Sequence, residues 1–545
     1  MSALAAKDPH FYCRFSVDDE DRLVNIFWQD GNSYVDYMCW GDVLVFDSTY
    51  NTNVYDRPLV LFVGSNNHRG SILFGVGILG DETADTYTWL LSTFLDSMKG
   101  KKPTAMIMDG AESMHIAIGR VMPEARHRLC SWHLSRKAHT NLNSKDVEKA
   151  FNGCMNKFQT VQHFEEMWEV MLQEFELRNH FWTTWMYGRR QLWAQAFFGD
   201  VHMTGMRSTQ RSESMNNFVK DTLGAGKKIL VDIVPQMDRA QMRLRNNQVR
   251  DDFNTMNSFP VIETHLEDLE GHAASTYTYD VYKWVKKEIM KEKFLVTKGF
   301  QAVAEDDHSV HKMANFKRQQ YVHEVVYYHG RLTTDEEALE EAVLPPIMVC
   351  TCNMFQYKGV LCRHMFMLMK QENMSKIPRS LIMKRWTRNA GSMGDIEYPD
   401  GQNMDKEALE VSRFGALTGD CNRMCSYASK TTKGYSMLKK EIARLTALIE
   451  GLVKDSEQVH VCDPQPERTG CVIRDSVVVK KKGNQNQETG RRLITCSYCK
   501  GAGHNIQSCG ERKEKEREAA KQQSVGEDNL PSVSTPAKKV YHCGK

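Results

Sequence analysis

The chain has 545 residues and 62.7 kDa, more than one hydrophobic core holds, since cores stop growing near ~250–300 residues. Seventy-one Lys+Arg against 69 Asp+Glu leave a net charge of +2, so no global field selects a polyanion and any nucleic-acid surface must be local. No apolar run approaches the ~18 residues of a membrane span, the N-terminal MSALAAKDPHFY is too short and polar for a secretory signal, and 15 Cys is an odd count, which together predict an intracellular, multidomain protein whose thiols bind metal or lie buried rather than form a disulfide scaffold.

Residues 1–34 read as a polar, aromatic lead-in. Then GDVLVFDSTYN (41–51), RPLVLFVG (57–64) and GSILFGVGIL (70–79) are short β-branched runs separated by Gly, Asn and Pro, as strands of a meander are. Thr83–Met98 carries Tyr87, Leu90, Leu91, Phe94 and Leu95 at helical spacing, Thr104–Met108 is a strand, and Ala111–Val121 is a helix. This is the start of an α/β domain. Residues 145–200 turn to helical periodicity with Trp168, Trp182, Trp185 and Trp193, Arg207–Leu223 is a further helix, and 236–315 reads as mainly helical. A β-rich patch at 319–330 precedes a Cys/His cluster. Leu438, Ile442, Leu445, Ile449 and Leu452 form a seam of about two heptads, suited either to packing on the chain's own domain or to dimerisation. From 456 the composition becomes polar and structure-poor, up to a second Cys/His cluster and a charged tail.

Two clusters have the ligand count and softness of zinc sites. Cys496, Cys499, His504 and Cys509 occur at spacings of two, four and four, with Gly501 and Gly503 available to wrap the backbone round an ion. So small a segment has no other core, and metal binding would be its folding energy. In CTCNMFQYKGVLCRH, Cys350 and Cys352 share one side of an extended strand. The Lys358–Gly359 turn can bring Cys362 and His364 round to face them. Cys130 and His133 offer a third pair, but two ligands do not make a site, and a buried Cys beside a strand-end His explains them as well.

Asp47 and Asp109 each fall at the end of an apolar strand. If those strands are neighbours, both carboxylates leave the same sheet edge, and Glu213 on the later helix could join them. Three carboxylates at about 3–5 Å repel unless cations bridge them, which is what two Mg²⁺ or Mn²⁺ ions acting on a phosphodiester require. Spacing alone favours a plainer role, since Asp at a strand end more often caps a turn or helix. Between 474 and 513, nine Lys/Arg face three acids, a local charge of +6. Lys480, Lys481 and Lys482, eight spacers, then Arg491 and Arg492 suit a bipartite nuclear import signal or phosphate neutralisation beside the second cluster, as well as a solvated linker. Arg207–Arg250 holds nine Lys/Arg against four acids around Glu213.

The stretch from FWQDGNSYVDYMCWGDVLVFDSTYN through GSILFGVGILGDET, followed in order by TWLLSTFL, PTAMIMDG, ARHRLCSWHL and STQRSESMNN, resembles the Mutator-like transposase domain, specifically the plant far-red-impaired-response related family derived from such transposases (MULE). Cys350, Cys352, Cys362 and His364 resemble its SWIM zinc finger, and Cys496–Cys509 a zinc knuckle. The resemblance covers roughly residues 10–455. It implies an α/β, ribonuclease H-like transposase core with a helical insertion, followed by a SWIM zinc finger, a helical segment and the C-terminal knuckle. It also implies a D-D-E triad at Asp47, Asp109 and Glu213, with Cys130 and His133 at the family's Cys-x-x-His. The expected organisation is lead-in 1–34; transposase-like domain 35–235 with its insertion at about 145–204; helical region 236–318; SWIM region 319–385; helical or short coiled-coil segment 386–455; basic linker 456–494; knuckle 495–510; disordered tail 511–545.

Two departures accompany the resemblance. Only Cys13 and Cys39 precede the triad, so the family's N-terminal Cys/His-rich DNA-binding domain is absent or cut off, and Met108-Asp109-Gly110-Ala111 stands where T-D-Q-D is common. The expected function is a nuclear, zinc-binding, DNA-associated transcriptional regulator that keeps the transposase fold without its reaction. It would bind two Zn²⁺ and have DNA, other transcription regulators or family members, and no membrane, as partners. An active transposase using Mg²⁺ or Mn²⁺ at the triad is the alternative, and a zinc-dependent protein-interaction adaptor the second.

Overall fold

The computed structural model describes residues 10–457, apart from 51, 158–159, 225, 304–307, 330–346, 391–416 and a few positions between 418 and 426, together with residues 2–5 and 8. Cys496, Cys499, His504, Cys509, Lys480–Lys482, Arg491 and Arg492 therefore lie outside the described residues. After a short helix α1 (Ser2–Ala5), seven strands make one sheet: β1 (Tyr12–Val17), β2 (Leu23–Gln29), β3 (Val43–Thr49), β4 (Leu59–Ser65), β5 (Ser71–Ile78), β6 (Ala105–Met108) and β7 (Arg126–Leu129). Their spatial order is β1-β2-β5-β4-β3-β6-β7. Pairings are antiparallel from β1 to β3 and parallel from β3 through β6 to β7.

The switch from antiparallel to parallel follows from the connections. A loop over residues 50–58 joins β3 to β4 and a short turn over 66–70 joins β4 to β5, whereas α3 (Ala84–Ser97) separates β5 from β6 and α4 (Glu112–Val121) carries the chain from β6 to β7. Side chains alternate along β3. Leu44 and Phe46 face a core with Phe27, Tyr37, Phe62, Phe74 and Phe94, where the Phe62 and Phe94 rings stack at 4.3 Å. Val43 and Val45 face the opposite side with Ala105, Ile107, Met203, Met206 and Tyr357. Asp47 has the parity of Val43 and Val45.

Residues 12–29, the lead-in of the sequence reading, are strands β1 and β2 of this sheet. In Leu23–Gln29 the hydrophobic character builds toward Ile26, Phe27 and Trp28, which enter both cores, and the polar β1 pairs outside it as an edge strand. The helix α2 (Gly31–Trp40) follows, with the Asp30 carboxylate accepting from Ser33 N at 2.8 Å as its cap.

After β7 come α5 (Ser131–Leu142), α6 (Lys145–Asn156), α7 (Val161–Glu174) and α8 (Phe181–Gly188). Their amphipathic faces meet around Phe151, Phe164, Trp168, Trp182 and Trp193. A buried Arg128 of β7 ties this helical cluster to the sheet, donating to Gln195 Oε1 at 3.1 Å and to the Trp193 carbonyl at 3.2 Å. The chain returns as α9 (Gln210–Leu223), whose Met215, Val219 and Leu223 cover Leu59, Leu61, Val63 and Val76, and continues into α10 (Leu230–Asn257).

The helices α11 (Glu267–Thr276) and α12 (Tyr279–Glu292) are followed by a second, antiparallel sheet of order β11-β10-β9-β8: β8 (Leu295–Val303), β9 (His308–Asn315), β10 (Arg318–Tyr328) and β11 (Met348–Cys350). The reading of 236–315 as helical thus fails from Leu295 onward. Lys, Gln and Gly interrupt the apolar pattern there, and cross-strand pairing rather than local propensity decides the structure. Two short helices, α13 (Met354–Lys358) and α14 (Arg363–Gln371), complete this part, and α15 (Thr432–Glu457) carries the heptad seam. Ile442, Leu445, Ile449 and Leu452 are all exposed on it. No helix among the described residues is long and apolar enough to cross a membrane.

Close packing of the first sheet depends on glycine. A Cβ at Gly64 would stand 2.3 Å from the Phe74 ring, whereas one at Gly119, on the outer side of α4, meets nothing within 4 Å. Gly64→Ala is therefore expected to cost about 1–3 kcal/mol. Gly119→Ala should gain roughly 0.5–1 kcal/mol by stiffening the unfolded chain. Urea unfolding of the two variants against the wild type checks both signs.

Candidate metal and acidic centres

The zinc-type site is assembled by β11, α13 and α14. Cys350 ends β11, Cys352 lies two residues on, and Asn353 takes a left-handed backbone (φ 51°) that starts the turn into α13. Gly359 (φ 72°) ends α13, Cys362 is the N-cap residue of α14, and His364 sits in its first turn. All four ligands are buried and their donor atoms lie within 4.8 Å of one another. A tetrahedron with Zn–S bonds of ~2.3 Å has edges of roughly 3.8 Å, so three thiols and an imidazole at this spacing fit one zinc ion with little movement. Cys350 Sγ is 3.5 Å from His364 Nδ1. Burial drives the Cys350 and Cys362 thiols up, while hydrogen bonds from those two thiols hold Cys352 low. Three sulfurs in a closed space resist joint ionisation unless a cation joins them.

Neighbours outside the motif hold it in place. Glu288 of α12 is buried and accepts two bonds from the Arg363 guanidinium, at 2.9 and 3.2 Å, fixing the start of α14. The ring of His323, on β10, stands 4.5 Å from that of His364. Tyr357 reaches across to the first sheet: its amide oxygen accepts from Met203 N at 2.9 Å and its hydroxyl donates to the Met206 carbonyl. Arg385 donates to Asp42 and to the Ser65 carbonyl. The zinc-type module and the seven-stranded sheet are thus packed as parts of one unit.

The second centre lies at the C-terminal edge of β3 and β6. Those strands pair in step, Val43 with Ala105 and Val45 with Ile107, so continuing the register brings Asp47 level with Asp109. Asp47 is buried, and Asp109 is half-buried with one carboxylate oxygen accepting from Ala111 N at 2.9 Å. Burial, then the charges of Asp109 and Glu213, push the Asp47 carboxyl up to about 7 against the opposing pull of His133.

Glu213, in the first turn of α9, is near enough for its charge to bear on Asp47. Cys130, His133 and Glu213 each offer a donor atom within 4.8 Å of the others. Cys130 follows β7 and is fully buried; its sulfur accepts from Thr209 N and Thr209 Oγ1, both at 3.3 Å, and Thr209 Oγ1 is 3.2 Å from Glu213 Oε1. Burial raises the Cys130 thiol, yet hydrogen bonds from His133 and Thr209 outweigh it and leave it below its ordinary value. The bond to Cys130 raises His133 in turn. His133 Nδ1 is buried and has no hydrogen-bond partner among the described residues. Thr209, the residue that connects thiol and carboxylate, was missed by the sequence reading. Its position just before an amphipathic run is the signal that could have marked it as a helix start. Glu288 and His323 had no local signal at all.

Comparison with known proteins agrees with this geometry. Residues 43–137 match the MULE transposase domain and residues 349–371 the SWIM zinc finger. The chain is 30% identical over 400 residues to Protein FAR1-RELATED SEQUENCE 5 of Arabidopsis thaliana, covering 72% of this chain and 48% of the relative. It is 30% identical over 433 residues to Protein FAR-RED IMPAIRED RESPONSE 1 of the same plant, covering 78% and 49%. Against Protein FAR1-RELATED SEQUENCE 9 it is 26% identical over 427 residues, covering 77% and 74%. The fold and site are those of a transposase-derived protein with a SWIM zinc finger. The chain belongs to the FAR1-related family of MULE-derived proteins. It spans about half the length of the first two relatives.

If the buried cluster holds zinc, Cys362→Ser lowers the bound zinc by one equivalent relative to wild type. Metal binding to such sites is worth on the order of 10 kcal/mol, so chelation should also raise amide exchange through 347–371 well before it does so in β3 to β6. Metal analysis and hydrogen-exchange mass spectrometry read the two effects separately.

Proposed function

We propose that this protein is a nuclear, zinc-dependent, DNA-associated transcription regulator built on a ribonuclease H-like transposase core. The observation that carries the reading is the union of the buried Cys350/Cys352/Cys362/His364 set with a transposase-type sheet in one packed unit, joined through Tyr357, Arg385 and the Arg363–Glu288 pair. The run β5-β4-β3-β6-β7, antiparallel then parallel, is the strand order expected of a ribonuclease H-like core and supports that assignment of the fold. The family relationship supports the regulator class. Lys480–Lys482 with Arg491 and Arg492 supply the nuclear import signal, and Cys496, Cys499, His504 and Cys509 a second zinc site that adds nucleic-acid or protein contact.

In this reading zinc shapes the surface and does no chemistry. Cys350, Cys352, Cys362 and His364 fix the approach of β11 to α14, and through Tyr357 they set the loop that leads into α9. Asp47, Asp109 and Glu213 remain at the sheet edge as part of the scaffold. A second reading, metal-dependent DNA cleavage and strand transfer, is favoured by one observation: Asp47 and Asp109 are level on adjacent parallel strands, where a pair of carboxylates can hold Mg²⁺ or Mn²⁺. Glu213, whose charge bears on Asp47, would be the third acid of that set.

The two readings separate in one set of variants. In a transcription reporter assay in plant cells, Cys352→Ser or Cys362→Ser is expected to abolish activity and Asp47→Ala to leave it within about twofold of wild type. Retained activity in the zinc-ligand variants overturns the regulator reading. Calorimetric titration with Mg²⁺ or Mn²⁺, zinc sites pre-loaded, is expected to show no site that Asp47→Asn/Asp109→Asn removes; a site lost in that double variant revives the enzymatic reading.

A further inference from the structure

Two helix starts bring a thiol, an imidazole and a carboxylate together. Cys130 is the N-cap residue of α5, His133 stands in the first turn of that helix, and Glu213 stands in the first turn of α9. Each offers one donor atom, and the three atoms lie within 4.8 Å of one another. Backbone contacts hold the two helix starts together. Ser131 N donates to the Arg207 carbonyl at 2.9 Å, and Thr209 N donates to the Cys130 sulfur at 3.3 Å. Along the sequence Cys130 and His133 are only a pair; the fold adds a third ligand from 80 residues beyond His133.

A plain buried thiol beside a threonine explains part of this arrangement and leaves two features over. Cys130 makes no side-chain capping bond to α5, although it holds the capping position. His133 Nδ1 is buried with no hydrogen-bond partner among the described residues, and an orphaned buried nitrogen costs about 1–3 kcal/mol. The dimensions suit one ion. Zn–S of ~2.3 Å with Zn–N and Zn–O of ~2.0–2.2 Å gives tetrahedral edges of roughly 3.4–3.6 Å, so the donors need to close in by about 1 Å. Helix N-termini favour thiolate and carboxylate anions, the forms that bind metal. The Thr209 hydroxyl, 3.3 Å from the Cys130 sulfur and 3.2 Å from Glu213 Oε1, links two of the three ligands and would orient them. Thiolate with imidazole selects Zn²⁺ or Co²⁺ over Mg²⁺ and Mn²⁺, which only the carboxylate suits.

We propose that Cys130, His133 and Glu213 form a further transition-metal centre, which holds one Zn²⁺-type ion through three protein ligands. Three protein ligands leave a fourth position open, unlike the four-ligand Cys350/Cys352/Cys362/His364 set. The acidic edge is close by, since the charges of His133 and Glu213 both bear on Asp47. A dication held at this centre offsets the repulsion among Asp47, Asp109 and Glu213, and it fixes Glu213 beside Cys130. The centre is independent of both readings of the acidic edge, because donor type and spacing alone define it.

The test is metal analysis of the full chain after dialysis against buffered Zn²⁺ with Mg²⁺ in large excess. Cys130→Ser keeps an acceptor for Thr209, and Glu213→Ala removes a half-buried ligand from a helix that tolerates alanine. Each is expected to bind one equivalent of zinc less than wild type, and either one combined with Cys362→Ser two equivalents less. In protein produced with Co²⁺ in place of zinc, the wild-type minus Cys130→Ser difference spectrum is expected to show a thiolate-to-Co²⁺ charge-transfer band. If Cys130→Ser melts far below wild type, Glu213→Ala alone carries the test. Zinc content unchanged in both variants overturns the centre. Loss in Cys130→Ser with full retention in Glu213→Ala overturns the three-ligand set. Excess Mg²⁺ that displaces the equivalent from wild type overturns the assignment to a soft ion.

Discussion

The in-step parallel pairing of β3 and β6 is the constraint on which both ends of the molecule depend. It brings Asp47 level with Asp109, buries Val43, Val45, Ala105 and Ile107 on one face, and offers that face to Met203, Met206 and Tyr357. Because Tyr357 belongs to the zinc-type module, the same apolar patch that positions the acids also seats the module. A shift of one residue in this register would send Val43 and Val45 to the aromatic core and Asp47 with them. Neither face could accept that exchange: one is filled by stacked phenylalanine rings, the other by Phe198, Met203, Met206 and Tyr357 from two distant segments of the chain.

The acidic edge joins its three carboxylates to a thiol and an imidazole. Asp47 pays for burial beside Asp109 and Glu213 by holding its proton to about pH 7. Glu213 also meets Cys130, His133 and the hydroxyl of Thr209. A thiol held low by hydrogen bonds and an imidazole held high by that thiol form a polar pair of opposite tendency. The pair lies within 4.8 Å of the half-buried Glu213 carboxylate.

Much of this architecture is legible in the sequence because its signals are local. The strands at 43–49, 59–65 and 71–78 are continuous β-branched runs, and Ala84–Ser97 has a cap and an apolar face, so pattern and structure agree. The four zinc-type ligands are legible for the same reason, since two short Cys/His pairs flank one turn. What failed to show was non-local. Strand β1 is polar and becomes a strand through pairing with β2, and β8 and β9 look like parts of a charged helix until their cross-strand partners are known. Cys130 and His133 were weak as a pair because their third neighbour lies 80 residues on. The sequence marks Glu213 as an acid but not as a neighbour of a thiol.

The packing of the zinc-type module on the sheet also limits how such a chain can lose function. A free-standing finger could be destroyed without consequence for the rest of the fold. Here Arg385 and Tyr357 bridge into the sheet's loops, Trp386 Nε1 donates to the Lys358 carbonyl at 2.8 Å, and Arg363 is held by Glu288. Releasing the metal ligands would free Cys362 at the start of α14, loosen the α13 turn, and remove the hydrogen bond that orients the 203–206 loop ahead of α9. Since Arg211 and Glu213 share the first turn of α9, the disturbance reaches the acidic edge through backbone that contains no metal ligand. Coupling of this kind needs only packed, singly determined contacts. It makes the module a structural determinant of the edge as well as a surface in its own right.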